Sequence, residues 1–230
     1  MHHIAIPQNA LERVIKRRGH LHMFERLESA KTAHVVVDLQ VGFMGPGQPT
    51  EIPTAREIVP NVNRISRALR RCGGTNVFVQ HTMGAEARAA WSNRYLHYMA
   101  REWGDRLDQV FSPGAEGHAL WPDLDVQASD LKVRKTRFSA FVPGSSQLHE
   151  ILQERRIDTL IITGTATNVC CESTARDAMM MNYKVIFVSD GTATHSDAEH
   201  NATLASMVTN FADVMTTDEV LACIERSNQI

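Results

Sequence analysis

Residues 159–178, T-L-I-I-T-G-T-A-T-N-V-C-C-E-S-T-A-R-D-A, restrict the folds open to this chain more than any other stretch. Leu160-Ile161-Ile162 is a short apolar run of the kind that a parallel sheet buries on both faces. The residues that follow, 163–167, are small and predict a tight turn. From Asn168 the periodicity is helical, with Cys171, Ala175, Ala178 and Asn182 on one stripe. Strand, turn and helix in that order put Cys170 and Cys171 at a strand's carboxyl end, where open α/β sheets bind ligands. Unpaired N–H groups and the dipole at a helix start favour a thiolate over a thiol. A nucleophilic cysteine is therefore expected here.

The rest of the chain repeats the alternation. Strands are expected at residues 34–39 (H-V-V-V-D-L), 75–80, 131–133, 184–189 and 211–215. Helices are expected at residues 10–18, 60–72, 86–103, 145–155, 198–210 and 217–227, with irregular chain at 40–54 and 105–130. This pattern predicts an α/β fold: a three-layer α/β/α sandwich with a mostly parallel, roughly six-stranded, Rossmann-like sheet and right-handed crossovers. Residues 1–31 read as an N-terminal arm that packs on the domain or on a neighbouring subunit, and residues 32–230 as one domain. With 230 residues, 43% of them apolar, such a domain has ample core.

The balance of 24 basic against 26 acidic residues supplies no electrostatic reason for a nucleic-acid or membrane partner. No run is long enough to span a bilayer, and no signal-peptide core opens the chain. The spacing of Cys72, Cys170, Cys171 and Cys223 fits no disulfide framework or zinc pattern, which suits a reducing, cytoplasmic setting.

Three strand ends present Asp38, Lys135 and Cys170, and in a parallel sheet all three lie on one edge. A carboxylate near a thiol accepts its proton, and a lysine stabilises both anions. Backbone N–H groups at the turn suit a developing oxyanion. Taken singly, Asp38 also reads as a strand-end cap and Lys135 as a surface cation.

The blocks V-V-V-D-L-Q, K-T-R-F-S-A-F and T-G-T-A-T-N-V-C-C-E-S-T-A-R-D-A resemble, in order, the three signature blocks of the isochorismatase-like cysteine hydrolase superfamily. That resemblance implies an Asp-Lys-Cys triad, with Asp38 as general base and then acid, Lys135 supporting its charge, and Cys170 as nucleophile. It also implies a cis peptide between Thr165 and Ala166, and an oxyanion hole from the N–H groups of Ala166 and Cys170. Cys171 stands where the family usually has valine and fits as core.

The activity implied is hydrolysis of a small amide, carbamoyl or ureido substrate through an acyl-enzyme on Cys170, with ammonia released and no cofactor. The Cys170 motif argues against the vinyl-ether-cleaving isochorismatases. Residues 80–91 lack the D-x-H pattern of the nicotinamidases, so no catalytic metal is expected, and a nicotinamidase-like activity is the alternative. The third block looks closest to the ureidoacrylate group. Phe43, Gln80, His81 and Arg137 are the candidate substrate contacts, with an arginine suited to a substrate carboxylate. Trp91, Tyr95 and Phe138 read as pocket wall or as core. The family commonly forms homodimers or homotetramers, and the aromatic-rich residues 86–103 are a plausible contact surface. A non-catalytic binding module is the reading of a different class.

Overall fold

The runs of Val and Ile form the centre of the sheet. A computed structural model describes residues 1–226, with strands β1 (Thr32–Val37), β2 (Thr75–His81), β3 (Leu131–Lys135), β4 (Thr159–Thr165), β5 (Lys184–Ala193) and β6 (Asp213–Met215). All neighbours pair in parallel, in the order β3-β2-β1-β4-β5-β6. The helices are α1 (Gln8–Arg18), α2 (Val41–Met44), α3 (Val59–Arg71), α4 (Ala85–Ala90), α5 (Ser92–His97), α6 (Arg101–Phe111), α7 (Leu148–Glu154), α8 (Glu172–Met180), α9 (Asp197–Ser206) and α10 (Thr217–Arg226). None of the described helices is long and apolar enough to cross a membrane.

Strand alternation builds the three layers. Val35, Val37, Leu160, Ile162 and Phe187 pack with Leu148 and Leu152 of α7, Ala175 and Ala178 of α8, and Leu204 of α9. The intervening Ile161, Ile186 and Val188 pack on the opposite face against Ile65 and Leu69 of α3 and Val220 and Ile224 of α10. Residues 1–31 reach both layers: Val14 of α1 is buried in the same core as β1 and β4, and Leu27 in the core of the opposite face with α3 and α10.

Several boundaries differ from the sequence reading, each for a local reason. Helix α7 starts three residues later than expected, because the Ser145 and Ser146 hydroxyls donate to the carbonyls of Ser139 and Ala140. The expected single helix at 86–103 is three helices. The chain leaves helical geometry at Trp91, whose ring stands edge-on to Phe138, and again at Ala100. Helix α6 then runs into the stretch expected to be irregular, burying Gly104, Leu107 and Phe111 on one side. The turn expected at residues 163–167 begins later, because Thr163, Gly164 and Thr165 continue β4. Strand β5 runs past Ser189 to Ala193, pairing Thr192 and Ala193 with Gly164 and Thr165 across a bulge.

Gly164 sets how closely β1 and β4 approach. It sits at φ 121°, and a Cβ there would lie 2.0 Å from the Val37 carbonyl oxygen. Side chains rarely adopt such a φ, and the backbone it would strike has no room to yield. Gly164→Ala is expected to cost at least about 2 kcal/mol of stability, read as a lower urea midpoint, because steric overlap and positive φ add.

His34 lies fully buried on β1, its Nδ1 3.1 Å from Ser66 Oγ on α3 and its Nε2 2.8 Å from Thr163 Oγ1 on β4. Burial pulls its pKa from 6.5 down to about 3, with Asp130 opposing and Arg70 adding. The unfolded chain therefore binds a proton between those two values that the folded chain refuses. Stability from this group is complete above pH 6.5 and is lost as the pH falls toward 3. By about pH 5 the loss is about 2 kcal/mol, since each unit is worth about 1.4 kcal/mol. Urea midpoints measured between about pH 7 and about pH 5 should fall on acidification. His34→Gln should flatten that slope.

Candidate active site

The strand order reverses between β1 and β4: β2 and β3 extend the sheet from one side of β1, and β4, β5 and β6 from the other. Ligands in open α/β sheets bind outside the carboxyl ends of strands at such a switch point. Asp38 ends β1 there, in the left-handed region at φ 54°, which Asp tolerates better than most residues. Its N–H donates to the Val79 carbonyl at 2.9 Å. Across the switch, β4 leads into a π-helical turn, Thr167–Cys171, that carries Cys170 into α8. The peptide joining Thr165 to Ala166 is cis.

Hydrogen bonds hold that turn from both sides. The Ala166 carbonyl accepts from the N–H groups of Val169 and Cys171 at 3.1 and 3.2 Å. Asn168 Oδ1 accepts from the Thr194 hydroxyl at 2.6 Å. Thr167 Oγ1 lies 2.9 Å from Nδ1 of His200, whose Nε2 is 3.0 Å from the Ser189 carbonyl. A carbonyl only accepts, so Nε2 carries the proton and Nδ1 accepts from Thr167. His2, in the N-terminal arm, stacks on His200 at 4.4 Å between ring centroids.

Lys135 arrives from the end of β3, two strands from β1, and its ammonium closes the group. Lys135 Nζ is 2.7 Å from Asp38 Oδ2, 3.4 Å from Cys170 Sγ and 3.0 Å from the Arg137 carbonyl. It also lies 3.4 Å from His81 Nδ1 on β2. Lys135 has no acceptor, so His81 accepts there and its ring is neutral. Burial, helped by the Lys135 charge, holds the His81 pKa well below 6.5. Asp38 and Lys135 are wholly buried, and Cys170 is 5% exposed.

Burial governs the protonation of the three groups. It pushes the Cys170 thiol up to about 12, with Asp38 adding and Lys135 opposing. It also raises Asp38 above the ordinary carboxylate value, although Lys135 counters part of that. For Lys135, burial acts against the charge, but Asp38 and Cys170 outweigh it and the pKa rises. Loss of solvent outweighs the local N–H field, and Cys170 rests as a thiol. Cys171 is fully buried in the core beside Ala175 and Ala178.

A cavity of ≈ 220 Å³ opens onto Cys170, and Phe43, His81, Ala166 and Phe138 line it. Two candidate contacts lie elsewhere. Gln80 donates its amide N–H to the His118 carbonyl at 2.8 Å. Arg137 donates to the Ala90 carbonyl at 2.6 Å and stacks on Trp91, outside this cavity. Both are absorbed by backbone carbonyls, at His118 and at the end of α4, that position in the sequence alone does not reveal. Arg94 and His195 line the cavity and escaped the sequence reading. Trp91 and Tyr95 do not line it. Tyr95 is buried, with its hydroxyl 3.0 Å from Asp108. Among the described residues, no three His, Cys, Asp or Glu side chains are grouped as a metal ion would need.

Comparison with known proteins agrees with this fold. The isochorismatase domain model matches residues 32–219. The chain belongs to the isochorismatase family. Within that family it is 29% identical over 217 residues to the ureidoacrylate amidohydrolase RutB of Yersinia enterocolitica, covering 88% of this chain and 93% of that one. Its fold superposes on a cysteine hydrolase from Pseudomonas syringae pv. phaseolicola with a TM-score of 0.77 and 27% identity, over 90% of this chain and 98% of that one. It superposes on the N-carbamoylsarcosine amidase of Thermoplasma acidophilum with a TM-score of 0.66 and 26% identity, over 82% and 97%. The chain is an isochorismatase-family hydrolase with the α/β fold of that family.

Proposed function

We propose that this protein is a cysteine-dependent amidohydrolase. It hydrolyses a non-peptide carbon–nitrogen bond in a small ureido, carbamoyl or amide substrate, releasing ammonia through an acyl-enzyme on Cys170. The observation that carries this reading is the single ammonium of Lys135 in contact with both Asp38 and Cys170 beneath the cavity. The likeness to a ureidoacrylate amidohydrolase and an N-carbamoylsarcosine amidase supports the bond type.

The chemistry follows from the protonation states. Cys170 rests as a thiol, and Asp38 is a carboxylate made more basic by burial. Asp38 takes the thiol proton as sulfur attacks the carbonyl carbon, and Lys135 holds the charge throughout. The N–H groups of Ala166 and Cys170 receive the oxyanion. Collapse of the tetrahedral intermediate expels ammonia, which takes its proton from Asp38. Water, activated by the same carboxylate, then releases the acyl group. No residue in this scheme calls for a cofactor.

Ammonia release across ureidoacrylate, N-carbamoylsarcosine, biuret, nicotinamide and isochorismate tests the reading. Turnover of a ureide or carbamoyl substrate is expected, and Cys170→Ala should lower it by at least about 10⁴-fold. Undiminished turnover in Cys170→Ala would sink the assignment.

The pH profile supplies a second test. Asp38 must be ionised to accept the thiol proton, and its raised pKa moves that ionisation upward. The acid limb of kcat/KM should therefore lie above the ordinary aspartate value of about 3.9, as a property of the coupled triad. A limb at or below that value would remove Asp38 as the base.

A further inference from the structure

The π-helical turn that carries Cys170 leans on two outside groups, and the first residues of the chain touch both. Thr167 donates to His200 Nδ1 at 2.9 Å, and Asn168 accepts from the Thr194 hydroxyl at 2.6 Å. His2 bridges those two supports. Its ring stacks on His200 with 4.4 Å between centroids and 20° between planes. Its Nε2 accepts from the Thr194 N–H at 3.0 Å. A nitrogen that accepts there holds no proton, so Nδ1 carries it and donates to Asp197 Oδ1 at 2.7 Å. The His2 side chain is only 4% exposed, as a group built into the structure would be.

Thr194 is the hub of this arrangement. It is fully buried, and each of its polar groups serves a different element. The N–H goes to His2, the hydroxyl to the catalytic turn, and the carbonyl accepts from the Thr54 hydroxyl at 2.8 Å. Thr54 lies two residues beyond Ile52, and Ile52 and His195 both line the cavity. The arm is itself tied down: Asn201 on α9 accepts from the Ala5 N–H at 2.6 Å and donates to the His3 carbonyl at 2.8 Å. Among the described residues, none of residues 1–5 belongs to the apolar clusters packed on the sheet. The tip of the arm thus adds little to the core, and its contacts run to the elements that carry the site. Turns of π-helical geometry are rare and concentrate at functional sites.

We propose that His2 is a positioning residue for the reaction at Cys170. The imidazole of the arm holds Thr194 and His200, and these hold the turn so that the N–H groups of Ala166 and Cys170 meet the oxyanion. The inference rests on the reading of Cys170 as the nucleophile. His2 touches neither the substrate nor the reacting atoms. Removing its ring leaves the buried Thr194 N–H unpaired and uncovers His200, and the turn then loses the fixed frame on which its N–H groups are aimed. Misplacing a catalytic group by about 1 Å costs about 10²-fold in rate.

Two reagents at Cys170 separate positioning from folding. With p-nitrophenyl acetate, sulfur bonds to the carbonyl carbon through a tetrahedral oxyanion, p-nitrophenolate leaves with its electron pair, and the thiol proton passes to Asp38. With iodoacetamide, sulfur bonds to the methylene carbon, iodide leaves with its electron pair, the proton goes the same way, and no oxyanion forms. Both rates are read by mass spectrometry on the Cys170 peptide, with urea midpoints measured alongside. His2→Ala should lower the acylation-to-alkylation ratio at least about tenfold. His2→Gln, whose amide oxygen accepts in place of Nε2, should restore part of it. Thr194→Val, which deletes only the hydroxyl link to Asn168, should lower the ratio too, and adding His2→Ala to it should cost less than in the wild type. In turnover, His2→Ala should lower kcat by more than it raises KM, because the oxyanion belongs to the transition state. An unchanged ratio in His2→Ala, or in Thr194→Val should His2→Ala not fold, overturns the positioning role even if hydrolysis stands. An equal fall in both rates together with a lowered urea midpoint marks a merely structural contact and overturns it as well. A Cys170 inert to both reagents in the wild type overturns the nucleophile and the positioning role with it.

Discussion

Everything at this site depends on a lysine and an aspartate that share no contact with water. Lys135 and Asp38 are 0% exposed and 2.7 Å apart. Removing two such ions from solvent costs several kcal/mol each, and their attraction recovers that only where geometry and further hydrogen bonds are good. Lys135 finds those additional partners in the Arg137 carbonyl, His81 and Cys170. As a stability device the pair is a poor choice, because packed apolar side chains would serve as well. As a chemical device, burial makes Asp38 more basic while Lys135 keeps a cation beside the sulfur.

The sheet makes that pairing available. Asp38 and Cys170 flank the switch point because β4 returns to the far side of β1 after β2 and β3 have been laid down. Gly164 lets the two strands meet without a side chain between them. His81 of β2 fills the gap that Lys135 must cross, and it does so as a neutral acceptor. A protonated imidazole there would repel the ammonium. Burial, which keeps that ring neutral, therefore protects the triad as much as any direct contact within it.

The alternation of apolar runs with helical stripes was enough to place the sheet, its layers and the common edge of Asp38, Lys135 and Cys170. What escaped the linear reading belongs to tertiary packing. The depth to which Cys170 is buried was not legible, because a helix start is a local feature whereas desolvation is set by the whole fold. Gln80 and Arg137 lie at or just beyond strand ends, where a ligand would suit them, yet the backbone carbonyls of His118 and Ala90 claim them. Arg94 was hidden inside a stretch read as one continuous helix. The chain breaks at Trp91, whose ring stands edge-on to Phe138, and Arg94 just beyond the break lines the cavity.

Lys135 sits at the end of β3, an edge strand hydrogen-bonded to β2 alone. Edge strands open at a lower free energy than the centre of a sheet. Were those few residues to open, the ammonium would withdraw while β1 and β4 stayed paired. Asp38 then loses its counter-ion in a buried site and takes up a proton, and the thiol loses its base. On the proposed chemistry, activity therefore leans on an edge strand that the core of the fold does not need. On that reading, a chain that lost only β3 would keep its fold and lose its chemistry.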